Sequence, residues 1–271
     1  MKKRITAIVL SVIMAMSLTS CNKDKAEASV EASVEASVSA EVSAEEKVEE
    51  EIIETVEKEV EVLADESEKE TPSIKGRFVD AEGNLADKLA EGTVYVNEYF
   101  EFKVVPAEGY FFLSDEADAY VEDATAEFFE GNDDSLSQEI ASDMREESAS
   151  GFYLTEASQL YTINTQIDYA GPFVTESNLD ALLDETLSQM ESVFAVDTVK
   201  DLNLERTTVS FMGKDTSCIR GCIKMEMQGV TFDFYMVSVT LVKDGYICTF
   251  SFGSYLQDNC DELLDMVMPL E

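Results

Sequence analysis

A chain of 271 residues with 57 acidic and 19 basic side chains and no histidine carries a formal charge of −38. Charge of that sign repels nucleic acid and anionic lipid surfaces, which excludes a nucleic-acid-binding role. The lack of histidine removes the commonest general base and the commonest zinc ligand, and Ser-His-Asp and zinc-protease chemistry go with it.

The chain opens with Lys2, Lys3 and Arg4, continues as an apolar run from Ile5 to Leu18, and reaches Leu18-Thr19-Ser20-Cys21 at once. A positive start, a hydrophobic region and a small-residue site are the order of an export signal. The apolar run is shorter than the roughly 20 residues a membrane-spanning helix needs. The tetrapeptide ending in Cys21 resembles the lipobox of bacterial lipoproteins. That resemblance implies a diacylglyceryl group on the Cys21 thiol, cleavage before it, and a mature protein held on the outer face of a bacterial membrane. The other reading is an ordinary secretory signal with an incidental cysteine. Two or more acyl chains, at about 0.8 kcal/mol per buried methylene, make a firm anchor. Loss of three bases with residues 1–20 moves the charge from −38 to −41.

Residues 22–73 read as a tether. Glu-Ala-Ser-Val occurs three times between Glu27 and Val38, and a glutamate-rich stretch follows. With 18 acids, five bases and no aromatic residue, the segment cannot bury enough apolar surface to fold and is expected to stay solvated. Val48, Ile52, Val56, Val60 and Leu63 leave open a marginal helix over 45–63, or a coiled coil. A flexible chain of this length spans about 40 Å, and self-repulsion extends it. Its expected role is spacing.

Residues 74–271 read as one α+β domain with 39 acids and 11 bases, long enough to bury roughly 70% of its unfolded surface. Val94 and Val96, then Phe100, Phe102 and Val104, predict a strand pair ending at Pro106. Ala117, Tyr120, Val121, Ala124 and Phe128 share a helical face that stops at Gly131-Asn132. A short helix is expected at 138–147. Residues 151–168 predict a second strand pair, with Tyr161, Ile163 and Ile167 on one face and a turn at Glu156 to Ser158. Ser177-Asn178-Leu179-Asp180 fits a capping box before a helix striped with Leu179, Leu182, Leu183, Leu187 and Met190. Runs near 205–212, 216–227, 230–242 and 245–253, divided by glycine turns, predict an antiparallel meander. In the third run Phe232, Phe234 and Met236 face one way while Tyr235, Val237, Val239 and Leu241 face the other, so both faces of that strand are expected to be covered. A last helix is expected to carry Leu256, Cys260, Leu263, Leu264 and Val267 on its buried side. The expected architecture is an antiparallel sheet of about six to eight strands covered by helices on both faces.

Cys218, Cys222, Cys248 and Cys260 admit either buried thiols or one disulfide, with three connectivities for a full set of pairs. Cys218 and Cys222 in one extended strand lie roughly 13 Å apart, beyond bridging range unless Gly221 folds the strand back.

Asn97-Glu98-Tyr99-Phe100-Glu101-Phe102-Lys103-Val104-Val105-Pro106 and Glu108-Gly109-Tyr110 resemble the opening hairpin, proline and Gly-aromatic turn of PsbP-like domains, and the meander from Val209 to Phe252 with its following helix fits the same group. The resemblance covers residues 94–270. It implies an α/β/α sandwich and no catalytic residue, because similar domains occur in proteins of unrelated function.

Asn132, Asp133, Asp134, Ser135, Ser137 and Glu139 offer hard oxygen ligands of the kind calcium takes, but lack the glycine and spacing of a calcium loop, and a solvated loop is the plainer reading. No metal, cofactor or catalytic residue is assigned. Tyr95, Tyr99, Phe100, Phe102, Tyr110, Phe111 and Phe112 either line a pocket or, at strand spacing, form core. The functional expectation is a surface-displayed, noncatalytic binding or interaction module whose acidic surface suits a cationic peptide, a wall component or a protein partner. The alternative is a carboxylate-based hydrolase of cell-wall or dietary glycans, which needs two inward carboxylates about 5 to 9.5 Å apart and a raised pKa on one.

Overall fold

The computed structural model describes residues 74–130, 150–195, 198–227 and 229–270. Cys21, the tether, the helix expected at 138–147 and the oxygen cluster from Asn132 to Glu139 lie outside them. No helix among the described residues is long and apolar enough to cross a membrane.

The meander forms because its turns hold the backbone conformation that tight hairpins need. Strands β7 (Val199–Phe211) and β8 (Lys214–Met227) are joined by Met212-Gly213, with φ of 53° and 75°. Strands β9 (Val230–Lys243) and β10 (Tyr246–Tyr255) are joined by Asp244-Gly245, with φ of 51° and 82°. Two left-handed residues in a row make the hairpin turn whose twist matches the strands. Lys214 and Asp215, expected in the turn, already pair with Phe211 and Ser210, and β7 begins well before residue 205.

Beyond β10 the sheet continues through β6 (Tyr161–Tyr169), β5 (Ser150–Glu156) and β4 (Tyr110–Phe112), giving the antiparallel order β4-β5-β6-β10-β9-β8-β7. A second antiparallel sheet holds β1 (Arg77–Val79), β2 (Val94–Asn97), β3 (Phe102–Val104) and β11 (Val267–Pro269) in that order. Among the described residues antiparallel sheet predominates over helix.

Helix α1 (Asp115–Glu130) starts at Ser114, whose Oγ accepts the Ala117 amide at 3.2 Å. The cap expected at Ser177 sits two residues earlier. Asn178 Oδ1 accepts the Thr175 amide at 2.9 Å and its Nδ2 donates to the Phe173 carbonyl at 2.8 Å, bracing a 3-10 turn, Glu176–Asn178, that runs into α2 (Leu179–Val193). The last helix is also corrected. Only α3 (Cys260–Leu264) forms; Leu256 has φ of 71° and is exposed, and Val267 is in β11. Pairing of Val267 with Val104, and the Val105 amide donating to Met266 O at 2.9 Å, draw the chain into the small sheet instead.

Both faces of the seven-stranded sheet are buried, but not by helices alone. On one face Phe234, Met236, Ile219 and Ile223 pack with Val121 of α1 and Leu183, Met190 and Val193 of α2. On the other, Val237, Val239, Phe250, Phe252 and Ile163 pack against Tyr95, Phe102 and Val104 of the small sheet and Cys260, Leu263 and Leu264 of α3. On that second face the four-stranded sheet packs beside α3. A three-residue strand is too short to show a period, which is why β1, β4 and β11 are silent in the sequence.

Candidate functional site

Three separate segments bring tyrosines together at one end of the sheets. Tyr169 ends β6, Tyr246 opens β10 directly opposite it, and Tyr99 lies in the turn between β2 and β3. The ring centroids of Tyr169 and Tyr246 are 4.9 Å apart and those of Tyr246 and Tyr99 5.8 Å, so the three form a continuous strip. Tyr169 is 60% exposed, and Phe173, in the loop that follows, is 78% exposed.

Charge is built into the strip. The Tyr99 hydroxyl donates to Asp244 Oδ2 at 3.2 Å, with the Lys243 carbonyl 3.3 Å away. Partial burial, then the hydrogen bond to the Asp244 carboxylate, push the Tyr99 hydroxyl above its ordinary pKa. Lys243 Nζ lies 5.5 Å over the Tyr99 ring and 2.8 Å from Glu101 Oε1, whose carboxyl it holds below the usual range. An ammonium group over a tyrosine face, neutralised by a neighbouring carboxylate, is how an aromatic site holds a cation. The hairpin is fixed beneath the rings: Gly245 O accepts the Ala170 amide at 2.8 Å, and a Cβ on Gly245 would meet Gly171 O at 2.7 Å.

Of the aromatic group singled out in the sequence, Tyr95, Phe100, Phe102 and Phe112 are core. Tyr95 accepts the Gly76 amide on its hydroxyl at 3.0 Å, and burial pushes its pKa up to about 12. Phe111 is exposed and Tyr99 and Tyr110 are half-buried, so Tyr99 alone of that group enters the strip. Tyr169 and Tyr246 were missed. The signal for them was a tyrosine at each end of two strands beside a two-residue Asp-Gly turn, which places exposed rings at a sheet end.

All four domain cysteines are free, with Cys222 half-buried and the others buried. Burial pushes Cys218 up to about 11 and Cys248 and Cys260 up as well, so these thiols are poor nucleophiles. Gly221 does not fold the strand back; it pairs straight across to Leu204 and Met236. Among the described residues no three His, Cys, Asp or Glu side chains gather as metal ligands.

No family profile matches the chain, and no curated protein matches it. A solved structure to which it is similar is a PsbP-like protein, the solution structure of cyanobacterial PsbP (CyanoP) from Synechocystis sp. PCC 6803, at 8% identity and a TM-score of 0.39, over 69% of this chain and 96% of that one.

Proposed function

We propose that this protein is a lipid-anchored, surface-displayed, noncatalytic binding module that holds a cationic peptide or cationic wall component on its tyrosine strip. The observation that carries the reading is the strip itself, three tyrosine rings in sequence beside Glu101 and Asp244 with the Lys243 ammonium already seated over Tyr99. The domain's charge of −28 favours the same class of partner, since complementary charge speeds encounter. The anchor at Cys21 and the acidic tether belong to this reading, as does the PsbP-like character suggested by residues 97–110.

Four carboxylates among the described residues are unsuited to the part of a glycosidase acid. Asp80, Glu101, Glu156 and Asp258 all titrate below their ordinary values. A glycosidase acid needs the opposite displacement. In Glu156 burial pushes upward but is outweighed by hydrogen bonds from the Ser158 hydroxyl and amide and from the Leu160 amide, which make it a turn brace.

Titration of the full chain with an oligolysine peptide tests the proposal. Tyr169→Ala and Tyr246→Ala are each expected to weaken binding by about threefold to thirtyfold, the range of a partly desolvated cation–aromatic contact. Binding that falls with salt but ignores both substitutions would mean general acidity without a site. No binding by the wild-type chain would sink the proposal.

A further inference from the structure

Lys243 closes β9 directly opposite Tyr246, which opens β10. From there its side chain reaches the turn between β2 and β3, where Nζ lies 2.8 Å from Glu101 Oε1 and 5.5 Å over the Tyr99 ring. The two partners are 142 positions apart in the chain, so the contact exists only because the two sheets bring their turns together. It sits at the surface, with the Glu101 side chain 71% exposed and that of Lys243 37% exposed. An ion pair that open to water holds by a small margin and exchanges readily with other ions.

Glu101 is an unexpected residue for its place. Its φ is 61°, the left-handed region that glycine enters freely and glutamate does not. The Leu270 amide donates to the Glu101 carbonyl at 2.8 Å and fixes that conformation. Glycine would make the same turn without strain, so what the glutamate adds is its carboxylate. Tyr99 is prepared as well. Its hydroxyl donates to Asp244 Oδ2 at 3.2 Å, and a phenol that shares its proton with a carboxylate presents a ring richer in electrons to a cation. A carboxylate and a ring face thus converge on one ammonium group, and that group is the chain's own Lys243. The other end of the strip is open: Tyr169 is 60% exposed, and among the described residues no cation lies over Tyr169 or Tyr246.

We propose that Lys243 is an internal ligand that occupies the Tyr99–Glu101 end of the strip until the ammonium group of a partner's lysine takes its place. The inference rests on the reading of the strip as a cation site and deepens it, naming the group that is recognised and the contact that regulates its entry. A partner meets the open rings of Tyr169 and Tyr246 first, and its ammonium then replaces that of Lys243 on Glu101. One ammonium leaves as another arrives, so the carboxylate is never stripped of a counter-charge, and Lys243 returns its head to water on a flexible four-carbon stem. Nζ meets Glu101 at a single carboxylate oxygen, a contact a compact ammonium makes in full, whereas the fork of a guanidinium is built for two. A run of lysines engages the open end and the guarded end together, while a single lysine gains little from exchanging one cation for another.

Calorimetric titration of the full chain with an oligolysine peptide, in the wild type and in Lys243→Met, tests the inference. Removing the internal ligand is expected to tighten binding by about threefold to tenfold, the combined strength of an exposed ion pair and a cation over a ring. Lys214→Met is the control for charge. Lys214 also acts on the Glu101 carboxylate through its field, but among the described residues it is neither ion-paired with Glu101 nor seated over Tyr99, so its loss should change binding by less than about twofold. Glu101→Gly should raise Tm, because strain is released, and yet weaken binding by about threefold. Wild-type binding that depends on Tyr169 and Tyr246 but does not tighten in Lys243→Met, or tightens equally in Lys214→Met, overturns the internal-ligand role and leaves the strip standing. Binding indifferent to Glu101→Gly overturns it too. No binding by either the wild type or Lys243→Met overturns both the inference and the reading beneath it.

Discussion

Arg220, on β8, forks onto Asp261 of α3, with Nη1 2.6 Å from Oδ1 and Nη2 3.3 Å from Oδ2. Nη2 also donates to Asp258 Oδ2 at 2.9 Å. A five-residue helix has no stability of its own, so this charge-assisted clamp, together with the burial of Cys260, Leu263 and Leu264, holds α3 to the sheet. Burial pushes the Asp258 carboxyl up, but hydrogen bonds from Arg220 and the Cys260 amide bring it below its ordinary value. A depressed carboxylate stabilises the fold above its unfolded pKa, and the gain is lost as pH falls through the folded one. Arg220→Leu should cost about 1–2 kcal/mol at neutral pH, the pair being partly exposed. Urea unfolding at pH 7 and at pH 3 should show that difference shrinking in acid; an equal difference at both would remove the clamp from the explanation.

At Gly221 the backbone of β7 lies close against β8. A Cβ there would lie 1.9 Å from the Asn203 carbonyl oxygen and 2.8 Å from Leu204 Cα, both backbone atoms that cannot rotate away. Gly221→Ala should therefore push the edge strand off its partner and destabilise by about 3 kcal/mol or more, beyond the ordinary range of single substitutions. Urea denaturation decides this, and a loss under about 1 kcal/mol would show that the strands adjust freely.

What could be read in the sequence was whatever short-range spacing determines. Phe234 and Met236 against Val237 and Val239 foretold the two covered faces of β9, and the Leu183 and Met190 stripe foretold α2. The C-terminal helix misled because Leu256 and Val267 fall on its spacing by coincidence, while pairing of Val267 with Val104 joins residues distant in the chain. The tyrosine strip was hidden for the same reason, since register alone brings Tyr169 opposite Tyr246.

Thiol chemistry offers a separate check on the packing. Burial raises Cys218 to about 11 and pushes Cys248 and Cys260 up too, whereas Cys222 is half-buried, its smaller upward shift coming from partial burial and then Asp233. Only the thiolate reacts. In the native domain Cys222 should be the first of the four to be labelled by a disulfide reagent near pH 8, with the other three following only on unfolding. Cys222→Ser should then abolish the early phase. An early phase that survived the substitution would mean one of the buried thiols opens readily to solvent.

The proposed anchor makes the most direct prediction in the cell. If Cys21 carries the lipid, Cys21→Ser leaves no thiol for the diacylglyceryl group, and the chain is either released into the medium or retained unprocessed with its apolar run from Ile5 to Leu18 intact. Fractionation with detergent partitioning separates these outcomes from the wild type, which should enter the detergent phase because two or more acyl chains hold a protein to a bilayer where one does so only marginally. A Cys21→Ser protein that is processed normally and still partitions with membranes would show that something other than this thiol attaches it.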